Sequence, residues 1–162
     1  DLDQKLDIRT SRPVGHGGLA YGFWQYRQRH SRAQDVNHQF GSLGMGTSYP
    51  LTPQWTVTGD VLYNYLSSST PGSYGLATDA LVLHLGSGYQ FQSWDFSADY
   101  YWANSDDGDN ADVNDLQLGV AWHLGGGNQL SLAYHRDDYS NGAFPGLRYD
   151  TDVVDVAFRG SF

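Results

Sequence analysis

The stretch DLQLGVAWHL, residues 115–124, decides the fold. Large apolar side chains occupy every second position of this stretch, and small or polar ones occupy the positions between them. Consecutive side chains of a β-strand point to opposite faces of its sheet, so this alternation predicts a strand with one apolar and one polar face. A helix would instead place its apolar residues three or four positions apart.

The same alternation recurs along the chain from Leu19 onward and is separated each time by turn-forming residues. Including residues 115–124, it predicts eight strands near residues 19–30, 36–49, 54–66, 81–91, 94–103, 115–124, 130–135 and 154–162. The connections around residues 49–53, 92–93 and 125–128 are short, whereas those at 31–35, 67–76, 104–111 and 137–148 are longer and more polar. Short turns on one side and long loops on the other are typical of outer-membrane barrels.

Composition excludes several classes of protein. The chain has 162 residues, enough for one domain, and no cysteine, which removes disulfides and thiolate metal sites. All 18 acidic residues are aspartate and Lys5 is the only lysine, so the residue types that favour helices are scarce. The net charge of −9 argues against a nucleic-acid partner, because phosphate contacts need clustered basic residues.

No apolar run approaches the ~18 residues of a membrane helix, yet 15% of the residues are aromatic. A transmembrane β-barrel reconciles these facts, because each strand turns only every second residue to lipid. We therefore predict an eight-stranded antiparallel transmembrane β-barrel over residues 19–162, with no open pore because side chains fill so narrow a barrel. Residues 1–18 are predicted to be a periplasmic tail or a plug, although Leu2, Leu6 and Ile8 all fall on even positions, which would allow a short strand.

The alternative fold is a soluble eight-stranded barrel of lipocalin type, or a sandwich, in which large apolar residues point inward. Periodicity alone does not say which face is inside. The polar positions here carry mainly glycine, alanine, serine, threonine, aspartate and histidine. Most of these side chains are too small to form a well-solvated outer surface on a soluble protein. This favours the membrane barrel.

The last predicted strand alternates aromatic and apolar residues, including Phe158, and ends at Phe162. It resembles the barrel-assembly signal of Gram-negative outer-membrane proteins, and residues 19–162 are similar to the small eight-stranded members of that class. The resemblance implies integral location in the outer membrane, contact with lipid and lipopolysaccharide, and recognition by the barrel-assembly machinery. It implies no particular activity.

Several ionisable residues fall on the predicted polar faces: Asp60, His84, Asp99, His135, Asp155 and, nearer the periplasmic rim, Arg159. Charged groups inside a barrel must be paired or hydrogen-bonded, so we expect a polar network that fills the lumen. A proton-sensitive or metal-binding cluster is the alternative interpretation. No recognised ligand spacing is present, so the sequence predicts neither a metal nor a cofactor.

One long connection carries a crowd of acidic residues: Asp106, Asp107, Asp109 and Asp112. The spacing does not match a calcium-binding loop, and no glutamate is present to complete one. The simplest interpretation is that these carboxylates are solvated side chains of a surface loop. The functional alternative is a surface that holds divalent ions against lipopolysaccharide phosphates.

The expected role is structural: an anchor, or a partner for another envelope protein. Some small outer-membrane barrels are lipid A deacylases or palmitoyltransferases, so a lipid A-modifying enzyme is the second hypothesis, with His135 and Ser140 as base and nucleophile. The deacylase pattern uses a glutamate, which this chain lacks. A narrow conduit or ion-binding barrel lined by aspartate and histidine is the third.

Overall fold

Alternating side chains and glycine-rich turns divide the chain into nine antiparallel strands, as seen in a computed structural model that describes residues 2–31, 36–69, 76–106, 110–144 and 146–160. Each strand pairs with the next one along the chain, so one sheet has the order β1 to β9. The strands are β1 (Leu2–Val14), β2 (Gly18–Ser31), β3 (Val36–Thr52), β4 (Trp55–Ser69), β5 (Leu76–Phe91), β6 (Trp94–Asp106), β7 (Ala111–Gly125), β8 (Asn128–Asn141) and β9 (Tyr149–Arg159). The all-β prediction is confirmed.

The predicted count of eight strands is corrected to nine. The additional strand is β1, in the segment for which a tail or a plug was predicted, and it pairs with β2 from Leu2↔His30 to Val14↔Gly18. Two hydrogen bonds of 3.1 and 2.6 Å from the Arg27 guanidinium to the Asp3 carboxylate join the two strands. Of the charges that made this segment resemble a polar tail, Asp3 thus pairs across the sheet, and Arg9 pairs with Asp7 within β1.

The tight connections share one edge of the sheet, and the longer loops share the other. Three turns on the short-turn edge contain residues in left-handed backbone conformations, namely Gly15, Gly17, Gln92, Gly125, Gly126 and Gly127. Glycine adopts such conformations without steric cost, which explains its concentration there. We call this the turn edge and its opposite the loop edge. Because the number of strands is odd, β1 begins at the loop edge and β9 ends at the turn edge.

Residues that lie directly opposite each other on neighbouring strands share a face of the sheet. One continuous row of such residues crosses seven strands: Tyr21, Gly46, Asp60, His84, Tyr101, Asp115 and Asp137. We call the side that carries this row the polar face. The other side, which carries most of the large aliphatic and aromatic residues, is the apolar face.

In β3 to β6 and in β8, the polar face is the better covered of the two, whereas the described side chains of β1 and β9 are exposed on both faces. In β3, Ser42 on the polar face is only 5% exposed, whereas its neighbours Leu43 and Met45 on the apolar face are 51% and 58% exposed. Ala111 is the one buried apolar residue in the described part of the chain. The burial pattern is thus inverted relative to a soluble barrel, which buries its large apolar side chains.

The sheet is open. Among the described residues, no backbone pairing joins β1 to β9, so a closed eight-stranded barrel is not what the structure displays. None of the described segments forms a helix that is long and apolar enough to cross a bilayer.

Candidate functional site: two histidine–aspartate clusters on the polar face

The first cluster is built around His84 on β5. Asp60 lies directly opposite His84 on β4, and Asp99 on β6 lies opposite Gly86, two residues further along β5. Nδ1 of His84 is 2.8 Å from Oδ2 of Asp60, and Nε2 is 2.9 Å from Oδ1 of Asp99. Together with Tyr21 and Tyr101, these residues form what we call the His84 cluster.

The geometry of the His84 cluster indicates the charge on its imidazole ring. An ionised carboxylate only accepts hydrogen bonds, and a neutral imidazole has only one N–H to donate. Both contacts are therefore hydrogen bonds to carboxylates only when His84 is the doubly protonated imidazolium. A positive ring between two negative groups is the arrangement that lowers the cost of shielding all three from water.

The two tyrosines complete the cluster. The ring of Tyr101 stacks on that of His84 with centroids 4.3 Å apart and an interplanar angle of 8°. The Tyr21 hydroxyl donates a hydrogen bond to Oδ1 of Asp60. The cluster therefore ties β2, β4, β5 and β6 together through side chains as well as through the backbone.

Two glycines make room for these contacts. A Cβ at Gly46, which lies between Tyr21 and Asp60 in the row, would overlap the Asp60 carboxylate and approach the Tyr21 hydroxyl oxygen to 2.7 Å. A Cβ at Gly86 would lie 2.6 Å from Oδ1 of Asp99 and 3.1 Å from Nε2 of His84. Any side chain at either position would displace a charged partner.

A second cluster lies on β7 and β8 and consists of Asp115, His135 and Asp137, which we call the His135 cluster. Nε2 of His135 is 2.9 Å from Oδ1 of Asp115 and 3.2 Å from Oδ1 of Asp137. One ligand atom from each of the three residues lies within 4.8 Å of the others. All three side chains are half-buried.

Asp115 and Asp137 are absent from the lumen residues that the sequence predicts. His135 and Asp137 are two positions apart on one strand, so their shared face is visible in the sequence. Asp115 joins them only because the β7–β8 register places it directly opposite Asp137. A third pair, His123 with Asp95 at 2.6 Å, lies closer to the turn edge and is largely exposed.

The structure thus joins three of the predicted lumen residues, Asp60, His84 and Asp99, in one cluster and places His135 in another. Asp155 lies opposite Ala133 and Arg159 opposite Gln129. Within the described residues, no ion pair or side-chain hydrogen bond links Asp155 or Arg159 to either cluster.

The predicted pairing of His135 with Ser140 is wrong. The two residues are an odd number of positions apart on β8, so their side chains point to opposite faces. Ser140 lies opposite Asp112, on the apolar face. At a rise of about 3.3 Å per residue, five positions along the strand also place the two residues roughly 17 Å apart. A nucleophile and its base must be within hydrogen-bond distance of each other.

Of the remaining predicted sites, those that the structure describes lie at or near the ends of strands. Asp106 ends β6, and Asp112 on β7 accepts a 2.8 Å hydrogen bond from the Asn104 side chain. Asp107 and Asp109 lie outside the described residues, as does Phe162. Phe158 projects from the apolar face of β9 and is exposed.

Family models, curated proteins and solved structures were all compared with this chain, and none of them matches it.

Proposed function

We propose that this chain forms the wall of a β-barrel integral to the outer membrane of a Gram-negative bacterium, with its apolar face in lipid and its polar face toward a filled lumen. Its role is structural: an anchor or a partner for another envelope component. The inverted burial pattern is the observation that carries this proposal. The alternation of Val154, Val156 and Phe158 on the apolar face of β9 resembles the strands of outer-membrane barrels and supports the choice of membrane.

The apolar face would be costly to leave in water. Every strand has exposed large apolar side chains on this face, for example Ile8 of β1 at 50%, Leu85 of β5 at 64% and Val156 of β9 at 70%. Burying apolar surface is the main favourable term in folding, and a large contiguous apolar patch on a protein marks a binding or membrane surface. Lipid covers such a face without a second protein layer, which this sheet lacks in its described part.

The large residues of the apolar face form a band across the sheet, which we call the apolar band. Its limit on the loop-edge side shifts from one strand to the next, as it must if the strands cross a membrane at a tilt. On each of four successive strands, the last apolar residue of the band before the loop edge lies directly opposite a polar residue of the next strand. The four pairs are Tyr65↔Asp79, Leu81↔Asn104, Trp102↔Asn114 and Leu116↔Arg136. The limit therefore moves two residues toward the turn edge at each step. Barrel strands tilt by 35–45°, so a flat membrane boundary must cross successive strands at shifted positions.

Aromatic rings gather on the apolar face near the turn edge. Trp94 stacks on Trp122 with centroids 5.2 Å apart and on Phe96 with centroids 6.3 Å apart. The indole N–H of Trp55 donates a 2.8 Å hydrogen bond to Ser87. Tryptophan and tyrosine favour the boundary between hydrocarbon and water, so this group supports an interface at the turn edge.

Membrane insertion also requires that both open edges find partners, because unpaired backbone groups are expensive in hydrocarbon. β1 and β9 run in the same direction, since an even number of reversals separates them. If these two strands close the barrel with each other, that seam is parallel and all other pairs are antiparallel.

The alternation of the two faces provides the test. The chain has no cysteine, so single cysteines at Leu132 (apolar face) and its neighbour Ala133 (polar face) can each carry an environment-sensitive fluorophore. In liposomes, we expect spin-labelled lipids to quench the label in Leu132→Cys strongly and the label in Ala133→Cys weakly. Equal quenching, or protein that stays soluble without detergent or lipid, would contradict the proposal.

A further inference from the structure

We propose that the His135 cluster binds one divalent transition-metal ion on the polar face of β7 and β8. The ligands are Nε2 of His135 and one carboxylate oxygen each from Asp115 and Asp137. This site is separate from the His84 cluster and does not depend on which membrane holds the sheet.

The ligand atoms are spaced as metal ligands are. The two nitrogen–oxygen separations are 2.9 Å to Asp115 and 3.2 Å to Asp137. Two ligands at about 2.1 Å from a metal are about 3.0 Å apart at a right angle and about 3.4 Å apart at a tetrahedral angle. All three ligand atoms lie within 4.8 Å of one another, so small adjustments of the side chains would let one ion contact all of them.

The two histidines meet their carboxylates in different ways. His84 turns one ring nitrogen to each carboxylate, so it bridges them as a hydrogen-bond donor. His135 turns the same nitrogen to both carboxylates. A single N–H makes one straight hydrogen bond, so it satisfies at most one of the two oxygens well. Convergence of three ligand atoms on one point is the arrangement of a chelate.

Two of the converging atoms lack a hydrogen bond. Nε2 of His135 and Oδ1 of Asp115 are shielded from solvent and, within the described chain, make no hydrogen bond of acceptable geometry although they are 2.9 Å apart. Buried polar atoms without partners are rare in proteins and often mark a missing ion or water. A cation between them would satisfy both.

The backbone register adds an electrostatic reason for a cation. Asp115 and Asp137 are directly opposite each other on antiparallel strands, where like charges destabilise the pair. The neutral imidazole that a metal needs would leave both carboxylates uncompensated. A divalent ion compensates both charges at once.

The surroundings also suit an ion. The Gln117 side chain donates a 3.1 Å hydrogen bond to Oδ2 of Asp115, which fixes that carboxylate and leaves Oδ1 for a metal. Such supporting hydrogen bonds orient metal ligands in known sites. The three ligands are half-buried, so an ion can reach them from the polar face.

The ligand types select the class of metal. Imidazole suits zinc, copper, nickel and iron, whereas calcium and magnesium prefer all-oxygen sites. With three protein ligands, positions remain for water. Zinc is the practical probe, because it accepts both imidazole and carboxylate ligands and has no redox chemistry.

The test is titration of the untagged chain, folded in detergent micelles, with zinc chloride in a calorimeter. We expect one saturable equivalent in the wild type and at least tenfold weaker binding of that equivalent in His135→Gln and in Asp115→Asn. His123→Gln is the matched control, because it removes a histidine–aspartate pair that uses only one carboxylate. It should retain the wild-type affinity for that equivalent.

Thermal unfolding of the same variants guards against loss of folding. Zinc should raise the Tm of the wild type and of His123→Gln, and EDTA should reverse the increase, whereas Asp137→Asn should show little or no increase. Absence of saturable zinc binding in the wild type would overturn the proposal. So would wild-type binding in both His135→Gln and Asp115→Asn.

Discussion

On the polar face, the contacts within the His84 cluster depend on the absence of a side chain at Gly46 and at Gly86. Both positions lie beside the His84 cluster, and a Cβ at either one would push against a charged group. Glycine is usually unfavourable within a strand because it adds no packing and loses the most entropy on folding. Here its small size lets Tyr21 reach Asp60 and lets Asp99 reach His84.

Removal of the central imidazole should leave the two carboxylates of this cluster without a positive partner. We expect His84→Leu to lower the free energy of unfolding by about 2 kcal/mol, in the range for hydrogen bonds to charged groups. Urea unfolding of the chain folded in lipid, followed by tryptophan fluorescence, measures the loss. Adding Asp60→Asn to His84→Leu should recover part of it, because one uncompensated charge is removed.

The matched control for His84→Leu is His123→Leu. His84 is 16% exposed and contacts two carboxylates, whereas His123 is 49% exposed and contacts one. Exposed ion pairs contribute at most about 1 kcal/mol, so the His123 variant should lose less stability. Equal losses in the two variants would mean that the His84 cluster contributes no more than a surface pair.

At the scale of the strand, the large apolar residues occupy one face and also stop at a definite position along each strand. On β7, Leu118 lies inside the apolar band, and Asn114, four residues away on the same face, lies beyond its loop-edge limit. Both side chains therefore point from the same strand to the same face. They differ in whether they lie inside or outside the apolar band, so comparing them tests where the lipid begins.

We expect Leu118→Arg to lower the free energy of unfolding in lipid by about 2–4 kcal/mol, the range for a charge near the middle of the hydrocarbon. Asn114→Arg should lower it by about 0–1 kcal/mol, the range near an interface. Urea titration in liposomes gives both values. A similar cost at the two positions would contradict the assignment of the band.

β1 shows the limit of composition as a guide to strands. Its polar-face positions alternate acidic and basic residues, among them Asp3, Lys5, Asp7 and Arg9, which makes the segment read as a solvated tail. In the structure these charges lie on one face, and Asp3 pairs with Arg27 of β2. Leu6 and Ile8 continue the apolar face across the same strand.

At the scale of the whole molecule, the open edges of β1 and β9 are the main unsatisfied feature. Their outward backbone groups need partners if the sheet enters a membrane. In liposomes, we therefore expect the amides of residues 2–14 and 149–159 to be as protected from hydrogen exchange as those of the central strand β5. Mass spectrometry of proteolytic peptides measures this directly.

Rapid exchange of both edge strands beside a protected β5 would show that the edges stay unpaired in lipid, and it would contradict barrel formation. The same experiment at low and high protein-to-lipid ratios separates two sources of the partner. Protection independent of the ratio indicates pairing within one chain, and protection that grows with the ratio indicates pairing between copies.

The sequence by itself determined that the chain is all-β, where most strands run and which residues share a face. The predicted strand at residues 115–124, for example, lies within β7 (Ala111–Gly125). Alternation is local information, written in neighbouring residues, and it persists in every strand that has one apolar face.

The tertiary structure decided how these strands meet. It made residues 2–14 a ninth strand, placed Ser140 away from His135, covered the polar face and left the sheet open. It also brought Asp115 to His135, although the two are distant in sequence. Register and curvature depend on contacts between strands, and a shift of one residue would turn every side chain to the other face, so no single segment specifies them.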